Sequence, residues 1–411
     1  MNHIIHWKRN FAILWSGQFL AIAGLTLLVP FLPFYMEELG VKTPQEKQLW
    51  SGIALAAPAV SSAIASPLWG KLGDRFGRKL MVIRALFGLS LCLCLMAIVS
   101  SPLQFLAVRL LQGAFGGIVD ASSAFAGSEA PEEQRGKALG SLQSAVAAGS
   151  LSGPFLGGIF ANIYGFRPLL LTVGIITAIG ACAAGFLLTE RIRTQTKESP
   201  SSEVTGSVLQ AFISMFSHSR TRGFLLAGFT ANVAVFGLVT PLAPLVESVA
   251  RKPDYAATWI GFLQAALWTA TLVSAPWWGK RNDRFKVERN YRIATILCGI
   301  SVVLQACVIN VPTLLVFRIL QGLTFSALIQ SVMFVIIQSS TDTNRSVRVG
   351  AANSVLVCGQ VIGSLAGALI TGMFNPSTAF FMMGTVFIVS ACCLLQGFVT
   401  IPVLSFRANK R

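Results

Sequence analysis

Hydrophobic residues along the chain form long runs that are separated by short polar or charged segments. Runs of about 20 residues recur from one end to the other, and each can cross about 30 Å of hydrocarbon as an α-helix. The short alternating segments of a membrane barrel do not appear, and an open sheet edge cannot face lipid. The pattern therefore predicts an all-α protein that spans a membrane.

The runs predict twelve transmembrane helices in two groups of six. Their predicted bounds are 11–36, 50–70, 80–99, 103–126, 137–160, 168–188, 222–246, 258–279, 290–309, 313–338, 347–371 and 377–400. A long polar stretch separates the groups, so we predict one bundle over residues 1–190, a linker over 191–221 and a second bundle over 222–411. Residues 21–23 resemble a signal-peptidase site, but the apolar run continues to about Tyr35, and we expect no cleavage.

Composition agrees with a membrane protein. Of 411 residues, 54% are hydrophobic and 12% are charged, which is too little charge to cover a soluble surface. The net charge of +16 comes from lysines and arginines in alternate connections, so the positive-inside rule places both termini and the linker in the cytoplasm. We therefore expect no nucleic-acid partner.

The remaining residue types give no sign of metal or cofactor chemistry. All 8 cysteines lie inside apolar runs, where they act as small packing residues, and the 3 histidines lie outside the predicted spans. The phosphate-binding loop of ATP-driven proteins is absent from the sequence. The sequence predicts no metal site, no cofactor and no enzymatic activity.

A charged turn occurs twice, half a chain apart. Residues 70–79 place four basic side chains beside Asp74, and the pair Asp74-Arg75 returns as Asp283-Arg284. A positive anchor on the cytoplasmic side explains the basic residues but not the repeated acid. A carboxylate that pairs with an arginine or a helix N-terminus in one state only would form a conformational latch. The candidate latch residues are Gly70, Gly73, Asp74, Arg75, Gly77, Arg78, Asp283 and Arg284.

Other motifs repeat at nearly the same offset. The residues of 109–113 (RLLQG) return at 318–322 (RILQG), and the prolines at 30 and 33 return at 241 and 244. The glycines at 149, 153 and 157 return at 359, 363 and 367. Two parallel six-helix repeats predict a substrate site between the halves near the membrane midplane, with rocking between two open states.

These motifs resemble signatures of the major facilitator superfamily. Residues 70–79 are similar to its loop signature, and residues 109–113 to its fourth-helix signature. Residues 149–158 resemble the fifth-helix pattern of proton-coupled antiporters, and residues 30–33 a signature of the twelve-span drug:proton antiporter branch. The resemblance implies export of small molecules in exchange for protons, and a loop that stabilises the outward-open state.

Three charged residues, Arg109, its repeat copy Arg318 and Asp120, are predicted inside spans, where a charge costs about 2.5–3.5 kcal/mol. For Arg318 a structural role that ties helices together is the favoured interpretation. Arg109, with Gln112 on the same face, either ties helices together or, as the resemblance implies, tunes a proton-carrying group. Asp120 lies eleven residues later, so a continuous helix would place it on nearly the same face, about 16 Å away. It is the candidate proton carrier; the alternatives are a fixed partner of Arg84 or a helix cap. Many members of the resembled family carry their acid in the first helix, which here offers only neutral polar residues.

Two further sets of residues complete the candidate site. Gly149, Gly153, Pro154, Gly157 and Gly158 predict either close helix packing or a helix that bends during transport. Polar or aromatic residues in the first, seventh and eighth spans are candidates for a mostly apolar substrate cavity. They are Gln18, Phe34, Asn232, Phe236, Gln264 and Trp268, each of which also suits a helix–helix contact.

The sequence thus predicts a monomeric transporter in a bacterial-type inner membrane that exports small organic compounds such as drugs in exchange for protons. Three alternatives stay open: an exporter of a single metabolite such as a siderophore, an uptake symporter of the same fold, and a non-transporting membrane scaffold. Fold alone does not fix the substrate.

Overall fold

The computed structural model describes residues 2–129, 135–190, 208–250, 255–340 and 345–394, and within these ranges the regular structure is helical throughout. The first half contains α1 (Asn2–Leu27), a 3₁₀ turn (Val29–Phe31), α2 (Leu32–Glu38), α3 (Pro44–Phe76), α4 (Arg78–Ile98), α5 (Pro102–Ala114), α6 (Ile118–Glu129), α7 (Arg135–Tyr164) and α8 (Phe166–Leu187). The second half contains α9 (Val208–Ser217), α10 (Ser219–Gly237), α11 (Leu242–Val249), α12 (Ala256–Arg284), α13 (Val287–Gln305), α14 (Val311–Gln338), α15 (Arg345–Met373) and α16 (Pro376–Cys392).

Most of the predicted spans are long and apolar enough to cross a membrane. In the described ranges nine segments qualify, and ten if α10 and α11, which meet at a 46° bend, count as one span. The helices α13 and α16 stand at the places of the two other predicted spans without meeting both criteria, and α16 has 17 described residues. The membrane-spanning all-α class is confirmed, while the count of twelve and the side of the termini stay predictions.

Three predicted spans are broken into two helices each. The breaks follow Leu27, Ala114 and Gly237. The first and third breaks contain Pro30 and Pro241, whose missing N–H cannot continue a helix ladder. The second contains Gly117 with φ of 95°, a conformation that side-chain-bearing residues rarely adopt. Residues Pro102–Glu129 therefore still qualify as the membrane span predicted over 103–126, but they form two helices and not one continuous helix.

Side-chain caps followed by proline set several helix starts. The Thr43 hydroxyl accepts a hydrogen bond from the Glu46 backbone N–H at 3.3 Å, and the Asn375 carboxamide oxygen accepts one from Thr378 at 2.7 Å. Ser101 caps α5 in the same way. Each cap precedes a proline at the first helical position, where its missing N–H costs nothing.

The two halves pack in the same way. In the first half α1 packs on α7, α3 on α5 and α4 on α8; in the second α10 packs on α15, α12 on α14 and α13 on α16. Across the halves, α3 meets α15 and α12 meets α7. The indole N–H of Trp69 donates to the Ala114 carbonyl at 2.6 Å, and that of Trp278 donates to Leu323 at 2.8 Å, with both partners shifted by the offset of the sequence repeat. The exact bounds of the two halves stay a prediction.

The predicted linker contains a helix that the sequence did not indicate. Residues 191–207 lie outside the described ranges, but α9 covers 208–217 and packs against α10 and α15. Its Ile213 and Phe216 are exposed. The second half therefore begins with a short helix before α10.

Candidate functional site

A cavity of about 340 Å³ lies between the halves. Helices α1, α3, α5 and α7 contribute to it from the first half, and α10, α12, α14 and α15 from the second. Most of its wall is apolar, and its described lining contains no Asp, Glu or Lys. The polar and amphipathic lining residues are Thr26, Arg109, Gln112, Asn232, Gln264, Trp268, Arg318, Gln321 and Gln360.

Arg109 enters the cavity wall from α5 and is 3% exposed. Its Nε donates to the Ala54 carbonyl of α3 at 3.0 Å, and its Nη1 donates to Gln112 Oε1 at 2.7 Å. The guanidinium carbon lies 5.9 Å from the Phe105 ring centroid. Within the described ranges the ion pairs are Lys47–Glu37 and Arg220–Glu288, so no carboxylate there neutralises Arg109.

Arg318 repeats this arrangement from α14. It is also 3% exposed, its Nη1 donates to Gln321 Oε1 at 3.1 Å, and its guanidinium carbon lies 5.7 Å from the Phe380 ring centroid. Gln305 donates to the same Gln321 oxygen at 3.1 Å. Unlike Arg109, Arg318 has a buried Nε without a hydrogen-bond partner in the described residues. The cavity thus receives one buried cation from each half.

Four of the six predicted substrate contacts line this cavity, namely Asn232, Phe236, Gln264 and Trp268. The other two do not. Gln18 is fully buried and donates to the Leu142 carbonyl at 2.9 Å, whereas Phe34 packs against the hydrophobic core. Whether the four lining residues bind substrate stays a prediction.

Sequence reasoning missed other lining residues. Gln321 could have been identified, because it repeats Gln112 at the offset of the two halves. Gln360 and Phe325 gave no such signal, because nothing in the sequence separates them from the other polar or aromatic residues of their long helices.

Asp120 lies in a different cavity. This second cavity, of about 310 Å³, is lined by α3, α4, α5 and α6 within the first half. Asp120 stands in the first turn of α6 with an exposed side chain, so the expected alignment with Arg109 along one helix is wrong. Arg84 lines the same cavity, with its guanidinium carbon 3.8 Å from the Trp69 ring centroid and its Nη2 donating to the Gly116 carbonyl at 2.8 Å.

The first charged turn is held by an acid that lies three residues after α8. Gly77 joins α3 to α4 with φ of 94°. The Glu190 carboxylate accepts hydrogen bonds from the backbone N–H groups of Arg78 at 2.7 Å and Lys79 at 2.9 Å, and so caps α4. The Arg78 guanidinium donates to the Ala124 carbonyl of α6. Sequence reasoning did not single out Glu190, which lies 112 residues from Arg78.

The other candidate latch residues of the first turn are placed less fully. Gly73 packs near Met81, and Arg75 is exposed beside the Phe76 ring. The side chain of Asp74, together with Gly70, lies outside the described residues. The structural basis for the latch hypothesis is therefore limited to Gly77, Arg78 and their contacts.

The second charged turn is built differently. Asp283 and Arg284 are exposed in the last turn of α12. Asn282, which replaces a glycine of the first turn, is buried; it donates to Ser331 Oγ at 3.1 Å and accepts from Asn290 Nδ2 at 3.0 Å. A buried amide network thus joins α12, α13 and α14 at this turn.

The glycines of α7 are sites of close helix packing. A Cβ at Gly149 would lie 2.9 Å from the Phe19 carbonyl oxygen, and one at Gly153 or Gly157 would lie 2.5 or 2.8 Å from a carbonyl oxygen of α1. Gly158 instead faces α12, where a Cβ would lie 3.0 Å from Gly261 Cα. The helix continues through Pro154, which lines the central cavity.

The close contacts between the halves lie at the helix ends away from the linker. Gly52, near the start of α3, packs on Ser364 of α15, and Gly158, near the end of α7, packs on α12. The Thr258 hydroxyl donates to the Gly158 carbonyl at 3.3 Å. Among the described residues this is the one side-chain hydrogen bond between the halves. The two halves therefore meet mainly on this side of the cavity.

Comparison with known proteins agrees with this architecture. The sequence model of the Major Facilitator Superfamily matches residues 14–251 and 242–405. The chain is 50% identical to the Staphyloferrin B transporter of Staphylococcus aureus (strain NCTC 8325 / PS 47), over 96% of this chain and 94% of the relative. It is 32% identical to Multidrug resistance protein MdtG of Proteus mirabilis (strain HI4320), over 92% and 93%.

A similar solved structure is that of a bacterial homolog of the human lysosomal transporter Spinster, in its inward-facing and unoccupied conformation. It superposes with a TM-score of 0.71 at 14% identity, covering 96% of this chain and 95% of that one, which shows a shared fold. The family and these relatives are transporters, not enzymes. The chain is a multi-pass membrane protein that belongs to the major facilitator superfamily of small-molecule transporters.

Proposed function

We propose that this protein exports a siderophore, a small iron-chelating organic molecule, across a bacterial inner membrane in exchange for protons. The observation that carries the proposal is the 50% identity to a Staphyloferrin B transporter along nearly the whole chain. The central cavity supports it, because about 340 Å³ is within the range of sites for small organic molecules. The protein acts as a monomer, in which alternating access of the site between the two halves carries out the exchange and the proton gradient drives it.

Export of varied drugs, which the sequence analysis placed first, is the second candidate. The 32% identity to MdtG of Proteus mirabilis favours it. Two observations place it behind the siderophore. The relative named for a siderophore is more similar, and the described lining of the central cavity holds two arginines and no acid, which disfavours lipophilic cations.

Proton exchange needs a group that takes up and releases a proton on alternate sides. Asp120 is our candidate, because it is the acid among the described lining residues of the two cavities. Its cavity adjoins the first charged turn through Gly73 and Arg78, so a proton on Asp120 can act on the turn that controls opening.

The test is deletion of the gene in an iron-starved culture of its own host. Ferric-chelating activity would be measured in the medium and in the cells, with and without an uncoupler, beside the accumulation of a panel of dyes and antibiotics. Siderophore export predicts chelator retained in the cells, and the same retention in wild-type cells after uncoupling. An unchanged distribution of chelator would overturn the proposal, and raised dye accumulation in its place would favour drug export. An uptake symporter would instead lower the chelator content of the deletion strain.

A further inference from the structure

The central cavity has an uneven charge distribution. Its described lining contains two guanidinium groups and no carboxylate, and both groups are almost fully buried. Two like charges that share a cavity raise each other's energy, and burying a cation without a counter-charge is strongly unfavourable. Charged residues at membrane depth mark substrate pathways when no partner in the protein explains them.

Each arginine is fixed in place by neutral groups only. Gln112 and Gln321 each accept a hydrogen bond from their own arginine, three residues away on the same helix. An amide orients the guanidinium but leaves its charge uncompensated. The hydrogen bonds therefore hold the two guanidinium groups in position, while the positive charge of each guanidinium stays available to a ligand.

Arg318 offers a donor that nothing in the described residues uses. Its Nε is buried and unpaired, whereas the equivalent atom of Arg109 donates to the Ala54 carbonyl. A buried donor without an acceptor is destabilising, because it has lost its hydrogen bonds to water and gained none in the protein. A carboxylate bound in the cavity beside the Arg318 side chain would neutralise its charge.

We infer that Arg109 and Arg318 form a two-point anion clamp, which binds two carboxylates of one substrate, one from each half of the protein. The substrate class is a small organic polycarboxylate, and this deepens the proposed function by defining the chemistry of the exported molecule. Gln264, Gln360 and Asn232 line the same cavity and supply neutral hydrogen-bonding groups for the rest of the molecule. Because the two arginines belong to different halves, the bound dianion couples the halves directly.

The test uses the full-length protein in lipid nanodiscs. Binding of citrate, as a polycarboxylate probe, would be compared with binding of its uncharged ester triethyl citrate by calorimetry at neutral pH. The variant Arg318→Gln removes the positive charge, whereas Arg318→Lys keeps the charge and removes the planar guanidinium group. As a control, Arg289→Gln removes an exposed arginine outside the cavity. Size-exclusion chromatography selects folded protein, so that a purely structural role of Arg318 lowers the yield without changing the affinity of the folded fraction.

The clamp predicts that citrate binds and the ester does not. Arg318→Gln should weaken citrate binding about 10-fold or more, which corresponds to about 1.4 kcal/mol, with Arg318→Lys in between and Arg289→Gln unchanged. Absence of citrate binding to the wild type, equal binding of the ester, or an unchanged affinity of Arg318→Gln would each overturn the clamp.

The outcome separates the clamp from the proposed function. If citrate binding depends on the arginine and the deletion strain secretes chelator normally, the clamp is supported and siderophore export is refuted. Chelator retention in the deletion strain beside an unchanged affinity of Arg318→Gln would sustain the export function and refute the clamp.

Discussion

The Glu190 carboxylate caps the helix that begins at Arg78, accepting a hydrogen bond from its backbone N–H at 2.7 Å. A second bond from Lys79 completes the cap. Gly77, which precedes both, leaves no room for a side chain, because a Cβ there would lie 2.8 Å from Glu190 Oε2. The segment that follows α8 thus fixes the turn between α3 and α4.

Replacing this cap should loosen the first charged turn. We expect Glu190→Ala to lower stability by about 0.5–2 kcal/mol, the usual cost of a lost N-cap, and Glu190→Gln to lower it less, because an amide oxygen still accepts. Thermal unfolding of the purified protein measures this. Glu46→Gln, which changes an exposed acid of α3, is the control. Equal melting temperatures for Glu190→Ala and the wild type would contradict the capping role.

The glycines of α7 allow a direct comparison within one helix. At Gly153 a Cβ would lie 2.5 Å from the Ala23 carbonyl oxygen, whereas at Gly140 it would meet nothing within 4 Å. Gly153→Ala should therefore destabilise the protein by about 1–3 kcal/mol through overpacking. Gly140→Ala should be neutral or stabilise it by up to about 1 kcal/mol, because alanine favours helix. Chemical unfolding of both variants checks this, and an equal effect of the two would refute the packing account.

Gly158 makes a related prediction for the contact between the halves. A Cβ there would press on Ala257 and Gly261 of α12, so Gly158→Ala should disfavour the state in which this side is closed. Disulfide crosslinking of Gln45→Cys with Gly372→Cys, in a cysteine-free background, reports closure, because these two positions are in contact. We expect a lower crosslinking yield for Gly158→Ala. Gly279→Ala, at an open position of α12, is the matched control and should leave the yield unchanged.

Asp120→Asn tests the proposed coupling acid. The variant should insert normally into the membrane, because the side chain is exposed and Asn keeps its shape. It should abolish exchange of substrate for protons, measured in proteoliposomes with a pH-sensitive dye. Glu46→Gln, outside both cavities, should exchange like the wild type. Normal exchange by Asp120→Asn would place the coupling acid elsewhere.

A contact in this site could be predicted from the sequence when its two residues are close together along the chain. Arg109 and Gln112 are three residues apart on one helix, so their contact follows from the sequence, and the repeat transfers it to Arg318 and Gln321. Asp120 was misplaced because the helix is interrupted between Ala114 and Ile118, with Gly117 at a φ of 95°, so the residue spacing of one continuous helix does not hold across the break.

Contacts between distant segments had no such signal. Gln18 and Gln264 look alike as polar residues in apolar runs, yet Gln18 is buried against the Leu142 carbonyl, 124 residues away, while Gln264 lines the central cavity. The contact of Gln18 with Leu142 depends on the packing of α1 on α7, and no local sequence pattern predicts that packing. Glu190 was missed for the same reason.

The sparse polar contact between the halves has an energetic consequence. Apart from the bond from Thr258 to the Gly158 carbonyl, the described hydrogen bonds and ion pairs of side chains stay within one or the other of the two halves. Separating them sacrifices mostly van der Waals attraction, so the closed and open states can lie close in free energy. A substrate then redistributes the molecules between the states in proportion to its preference, and about 1.4 kcal/mol of preference changes their ratio tenfold.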